Sequence, residues 1–283
     1  MNKPHSFGGK WTIEKLKILS DYLDFYITAL KNQPFKKIYI DAFAGTGEIA
    51  VGNTIENIDG SAKLALNAVH KFNSYIFIEK HKRRFAELKT MISKDYSELA
   101  DQIQLINGDC NDALQVICKN TDWKNNRAVL FLDPYATELK WTTLEIVAKT
   151  KVIDLWYLFP LHAAIRMLKN DGRIDQAWKN KLNSIFGDDG WEREFYKPNP
   201  QKDLFSDDED SFIKDADIKS IKQYIYSRLK SIFPAVSENS RILYNSKNSP
   251  LFLFCFAVSN DNPKAIGLAI KVADQILKKE VSK

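Results

Sequence analysis

The sequence predicts an α/β fold: a mostly parallel seven-stranded sheet clothed by helices and closed by a late antiparallel hairpin. Three observations carry that prediction. Short apolar runs at Ile38–Ile40, Tyr75–Ile78, Ile103–Ile106, Ala128–Leu132 and Val152–Tyr157 alternate with stretches of helical period, the rhythm of consecutive strand–helix units. Polar residues follow successive runs at Asp41, Glu79, Asp109 and Asp133. Late in the chain, Arg241–Tyr244 and Leu251–Val258 read as two strands around the turn-rich NSKNSP, before a helix from Pro263 to Lys279.

Taken in order, residues 1–9 read as an irregular polar arm. Thr12 is predicted to cap the helix that follows, in which Leu16, Leu19, Leu23, Tyr26 and Leu30 recur at three or four. Pro34 stops it, so 1–35 form an N-terminal arm and helix and 36–283 the main domain. After a glycine turn, GNTIENIDGS reads as an excursion loop and Ser61–Val69 as a helix. A charged helix runs from Lys80 to about Ile92, another starts at Asn111 or Asp112, and Thr143–Ala148 forms a third. From about 162 to 235 the pattern becomes a mainly helical insertion: His162–Lys169, Ile174–Ile185 and Ile218–Phe233. The stretch 197–212, with its acidic run Asp207–Asp210, reads as an exposed loop.

The 283 residues suffice for one large α/β domain, and 45% hydrophobic content is ordinary for a globular chain. A net charge of +5 permits a polyanionic substrate without establishing one. Cys110, Cys118 and Cys255 have neither paired spacing nor an even number, which argues against a disulfide scaffold or structural zinc. The four histidines, at 5, 70, 81 and 162, form no metal-binding pair, so no metal is expected. The N-terminus lacks an apolar signal region and no apolar run approaches membrane length. The expectation is a cytoplasmic protein with no membrane partner.

The chemistry concentrates in KKIYIDAFAGTGEIA, Lys36 to Ala50. An apolar strand runs into Asp41 and a turn carrying Gly45 and Gly47, where the missing Cβ lets backbone approach a ligand. A carboxylate at the next strand end, Glu79, suits a ribose hydroxyl pair. The layout resembles class I methyltransferases that use S-adenosyl-L-methionine, a Rossmann-like fold. In such a site the turn Phe43-Ala44-Gly45-Thr46-Gly47 passes under the methionine and ribose portion, with Asp41 near the methionine amine. Glu79 accepts from the ribose, Asp109 lies beside the adenine, and Cys110 lines the adenine slot. Ala50 stands where a dinucleotide site would carry its third glycine, a weak distinction because alanine is tolerated there. Asp109 reads equally well as a helix N-cap, and Glu79 as a surface cap.

Asp133-Pro134-Tyr135-Ala136 follows the fourth strand. Methylation of an exocyclic amine needs acceptors for its hydrogens, which the Asp133 carboxylate and the Pro134 carbonyl supply, and the Tyr135 ring offers a stacking face for a flipped base. The competing reading is a turn, with Tyr135 packed on Trp141. The arm residues Lys10, Trp11 and Lys15 are the candidates to close over the acceptor. The run Lys80-His81-Lys82-Arg83-Arg84 reads as a phosphate surface or as a solvated helix face.

KLKILSDYLDFY, YIDAFAGTG, IFIEK, NGDCN, LFLDPYA and TTLEIVAKTKVIDLWYLFP together resemble the three-Cys-motif partner protein family over roughly residues 10–160. That family has a class I methyltransferase-like core, and its name refers to a neighbouring cysteine-motif protein. The resemblance implies S-adenosyl-L-methionine as cofactor and a protein partner encoded nearby. Asp133-Pro134 also resembles the start of the Asp/Asn-Pro-Pro-Tyr/Phe motif of nucleic-acid amino-methyltransferases, with Tyr135 where the second proline would stand. The resulting expectation is methylation of an exocyclic amine in DNA or RNA. A small-molecule or protein acceptor, or a non-catalytic partner protein with the same fold, is the alternative.

Overall fold

The computed structural model describes residues 9–50, 57–199 and 212–279. In chain order these are α1 (Lys10–Ala29), β1 (Lys36–Asp41), β2 (Glu48–Ala50), β3 (Asn57–Asp59), α2 (Ser61–Asn67), β4 (Ser74–Ile78), α3 (Lys82–Asp95), β5 (Ile103–Ile106), α4 (Cys110–Asn120), β6 (Asn126–Leu132), α5 (Trp141–Lys149) and β7 (Ile153–Phe159). There follow α6 (Leu161–Met167), α7 (Gln176–Phe186), α8 (Trp191–Phe195), β8 (Tyr196–Pro198), β9 (Phe212–Lys214), α9 (Ile218–Lys230), β10 (Ala235–Val236), β11 (Arg241–Tyr244), β12 (Pro250–Val258) and α10 (Pro263–Lys278).

The main sheet runs β10-β12-β7-β6-β1-β4-β5, with β11 also on β12. The strands β5, β4, β1, β6 and β7 are parallel, while β12 is antiparallel to β7. Both β10 and β11 pair with the edge of β12 opposite β7, so they are two pieces of one interrupted outer strand. Seven positions are therefore filled by eight segments.

Alternation along the parallel strands sends side chains to opposite faces. One face, with Ile38, Ile40, Leu130, Leu155 and Tyr157, packs on α4, α5 and helices α6 to α9. The other carries Tyr39, Tyr75, Phe77, Phe131 and Trp156 and packs on α1, α2, α3 and α10. Tyr22 of α1 is the hub of this aromatic layer, with ring centroids 5.2 Å from Trp156 and 4.8 Å from Phe256.

Three local details depart from the sequence reading. Helix α1 begins at Lys10 with Gly9 as its extended N-cap, so Thr12 lies inside the first turn and is not the cap. The excursion after the glycine turn is bounded by a small antiparallel pair, β2 with β3, closed at its base by the Gly60 amide donating to the Gly47 carbonyl at 2.8 Å. A second short pair, β8 with β9, flanks the expected loop at 197–212. The acidic run Asp207–Asp210 and the N-terminal arm through residue 8 lie outside the described residues. Among the described residues no helix is long and apolar enough to cross a membrane.

Candidate active site

Parallel neighbours deliver their C-terminal ends to one edge of the sheet. The order β5-β4-β1-β6 therefore sets Asp109, Glu79, the glycine turn and Asp133 in a row. They border a cleft of about 1630 Å³ whose far wall is the start of α1.

The turn is built from backbone. Its Ala42 and Ala44 amides donate to the Phe131 and Ile78 carbonyls at 3.2 and 3.0 Å, tying it to both neighbouring strands. Gly45 and Gly47 have φ of +64° and +84°, the left-handed region that glycine enters without a Cβ penalty. A Cβ on Gly45 would meet nothing within 4 Å, whereas one on Gly47 would stand 2.3 Å from Met91 Cε. Gly45 thus opens the cleft and Gly47 allows α3 to pack.

Asp41 stands behind this wall and is not part of the lining. It is fully buried and accepts from the Phe43 amide at 3.1 Å and from the Ser61 hydroxyl. Burial pushes its carboxyl up to about 6, against those hydrogen bonds, and the nearby Asp133 charge adds to the rise.

Glu79 is 5% exposed and lines the cleft. Its Oε2 accepts from the Gly45 amide at 3.0 Å, and its Oε1 from the His81 amide at 2.7 Å. Arg84 completes the set at 3.3 Å. Asp109 is the helix N-cap that its residue type suggests, and it also borders the cleft. It caps α4 by accepting from the Asn111 amide at 2.9 Å, and it lines the cleft with Lys80 at 3.0 Å. Burial raises its carboxyl, but the bonds from Lys80 and Asn111 outweigh it and hold the group below the usual range. Burial, reinforced by the Asp109 charge, pushes the Cys110 thiol up to about 12, which suits a wall contact and not a nucleophile.

Asp133, Pro134 and Tyr135 border the same cleft. Tyr135 is 53% exposed, with the Arg84 guanidinium 5.6 Å from its ring centroid. Trp141, by contrast, is buried under Arg228 at 5.0 Å. From the opposite wall, Lys15 donates to Asp133 Oδ2 while sitting 4.9 Å from the Trp11 ring centroid. Trp11 and Lys15 line the cleft; Lys10 is exposed at the start of α1 and does not.

Several contributors carry no readable signal in the sequence. Asn111 is a buried clamp: its Nδ2 donates to the Glu138 carbonyl at 3.0 Å, and its Oδ1 accepts from the Lys140 amide at 3.0 Å and the Thr143 hydroxyl at 2.7 Å. It fixes the loop after Asp133 to α4. Arg84 touches both Glu79 and Tyr135, and Thr12 lines the cleft with a buried hydroxyl that lacks a partner among the described residues. Among the described residues no group of three or more His, Cys, Asp or Glu could hold a metal ion.

No protein-family model and no curated protein matches the chain. Solved structures do match. Protein LPL1258 from Legionella pneumophila, of family DUF519, overlaps 95% of this chain and 93% of its own, at 11% identity and a TM-score of 0.50. Spermidine synthase from Thermotoga maritima overlaps 96% and 67% at 11% identity, TM-score 0.45. The methyltransferase domain of bacterial CtHen1-C overlaps 85% and 98% at 12% identity, TM-score 0.38. The strand order, the antiparallel β12 and helices on both faces give this chain the Rossmann-like fold of class I methyltransferases.

Proposed function

We propose that the protein is an S-adenosyl-L-methionine-dependent methyltransferase acting on an exocyclic amine of a DNA or RNA base, in the cytoplasm. The observation that carries this reading is Asp133 on the cleft wall beside the exposed Tyr135 ring, at the strand end next to the glycine turn. The likeness to the three-Cys-motif partner family agrees with it and adds a neighbouring protein as a candidate partner.

The residues fit the cofactor. The open space beyond Gly45 is a cradle that a Cβ would fill, and Glu79, Asp109 and Cys110 line the wall along which ribose and adenine would lie. When bound, the cofactor supplies a methyl group on a sulfonium. The chain's own part is positioning: Asp133 Oδ1 and the Pro134 carbonyl accept the amine hydrogens, and Tyr135 stacks on the base. A volume of about 1630 Å³ exceeds the roughly 300–1,000 Å³ of a single small-ligand pocket, which leaves room for donor and acceptor together.

One observation favours a small-molecule acceptor instead. Among the described residues the wall carries six Lys or Arg side chains and six carboxylates, so it offers a polyphosphate backbone no net attraction. Labelled methyl donor offered to DNA, RNA, protein and small-molecule extracts decides between the readings. Label in nucleic acid supports the first and label only in small molecules the second. Donor binding with no transfer to any fraction points to a non-catalytic partner protein.

A further inference from the structure

Lys15 is 5% exposed, and a buried lysine needs a partner. Among the described residues it has one hydrogen bond, to Asp133 Oδ2. An ammonium carries three donors. The face of Trp11 shields one side at 4.9 Å without accepting a hydrogen bond, and Lys15 borders the cleft. It therefore has a donor to spare. Asp133, meanwhile, borders the cleft, and its Oδ1 accepts no hydrogen bond from the described residues.

A second observation points to a polar ligand at the same spot. Thr12 lies one helical turn before Lys15, on the same face. It is 1% exposed, borders the cleft, and its hydroxyl has no hydrogen-bond partner among the described residues. A buried hydroxyl left unpaired is costly, and a ligand atom at the α1 wall would satisfy it.

We propose that Lys15 is a specificity-determining residue. Held by Asp133 Oδ2, it donates to the ring nitrogen beside the target amine, while Asp133 Oδ1 accepts from the amine itself. A donor next to an acceptor is the complement of an H2N–C=N pair, which adenine and cytosine present on their Watson–Crick edges. On that edge of guanine the ring nitrogen beside the amine, N1, bears hydrogen, so two donors would face each other; guanine's acceptor neighbour, N3, lies on the sugar edge. This inference rests on the exocyclic-amine reading and narrows it.

The test uses the full chain, labelled methyl donor, and thymine oligonucleotides carrying one adenine, 1-deazaadenine, cytosine, 3-deazacytosine or guanine. Replacing the ring nitrogen by C–H removes the acceptor of the Lys15 bond. Parent protein should show kcat/KM at least about fivefold lower on the deaza base, the lower end of a good base contact. Lys15→Met should lose a similar factor on the natural base and level the natural-to-deaza ratio, which isolates the contact from the base's own reactivity. Lys15→Arg, which keeps a donor, should retain part of the preference. A lysine that only pins α1 to the sheet would slow every acceptor alike. An unchanged ratio in Lys15→Met overturns the proposal while leaving the amine reading intact. No transfer by the parent to any of the five overturns that reading and this inference with it.

Discussion

The Gly45 amide donates to Glu79 Oε2 across 3.0 Å, so the ends of β1 and β4 grip each other through the turn that forms the cleft floor. Glu79 thus shapes the turn as well as facing the cleft. Its replacement by Ala would leave the Gly45 and His81 amides and Arg84 without their acceptor. We expect donor binding to weaken by about 1–3 kcal/mol, the usual cost of an unsatisfied buried group. Calorimetric titration of parent and variant checks this, and equal affinities would remove Glu79 from the site.

The two turn glycines should separate. Gly45→Val meets open space in the cleft, so its fold should survive, with roughly 1–2 kcal/mol of left-handed strain, while donor binding disappears. Gly47→Val carries the same left-handed strain and must also displace the flexible Met91 tip, so its melting temperature should fall somewhat further. Thermal melts followed by circular dichroism, beside donor titrations, distinguish the two. Normal binding by Gly45→Val would show the turn to be only a connection.

Asp133→Asn should abolish methyl transfer with donor affinity within about 1 kcal/mol of the parent, because its work is on the acceptor. The Lys15 pair adds a consequence. The substitution leaves a buried ammonium facing a neutral amide, so stability should fall by roughly 1–3 kcal/mol. A chemical denaturation midpoint measures the stability and single-turnover transfer the chemistry. Parental transfer rates would exclude amine holding by Asp133.

What the sequence made legible was local. A carboxylate after an apolar run marks a strand end whatever the rest of the chain does, so Glu79, Asp109 and Asp133 could be set along one edge before any coordinates. The late hairpin strands were legible for the same reason, through their turn residues. The Lys15–Asp133 pair joins residues 118 apart, and no periodicity links an α1 lysine to a β6 carboxylate. Strands of three residues, such as β2 and β3, are too short to show alternation. Thr12 looked like a cap because threonine favours that position, but Gly9 starts the helix one turn earlier and leaves the hydroxyl inside the first turn.

Tyr22 and Asp154 make the stability of α1 on the sheet depend on pH. The Tyr22 hydroxyl donates to Asp154 Oδ2 at 2.6 Å, in the aromatic layer under α1. Burial pushes the Asp154 carboxyl up to about 7, against the Tyr22 bond, which lowers it. In the unfolded chain such a group titrates near about 3.9. Between roughly pH 4 and 7 the folded chain therefore holds a proton that the unfolded chain has released, and stability falls as pH rises through that window. Asp41, raised to about 6, acts in the same direction. Asp154→Asn keeps a side chain that cannot ionise. Its melting temperature should lie close to the parent's at the acid end of the window and rise relative to it towards neutral pH. Melting curves of the two proteins across that range provide the check. Parallel profiles would show that Asp154 does not take up the proton, and a parent gaining stability relative to the variant as pH rises would reverse the sign of the argument.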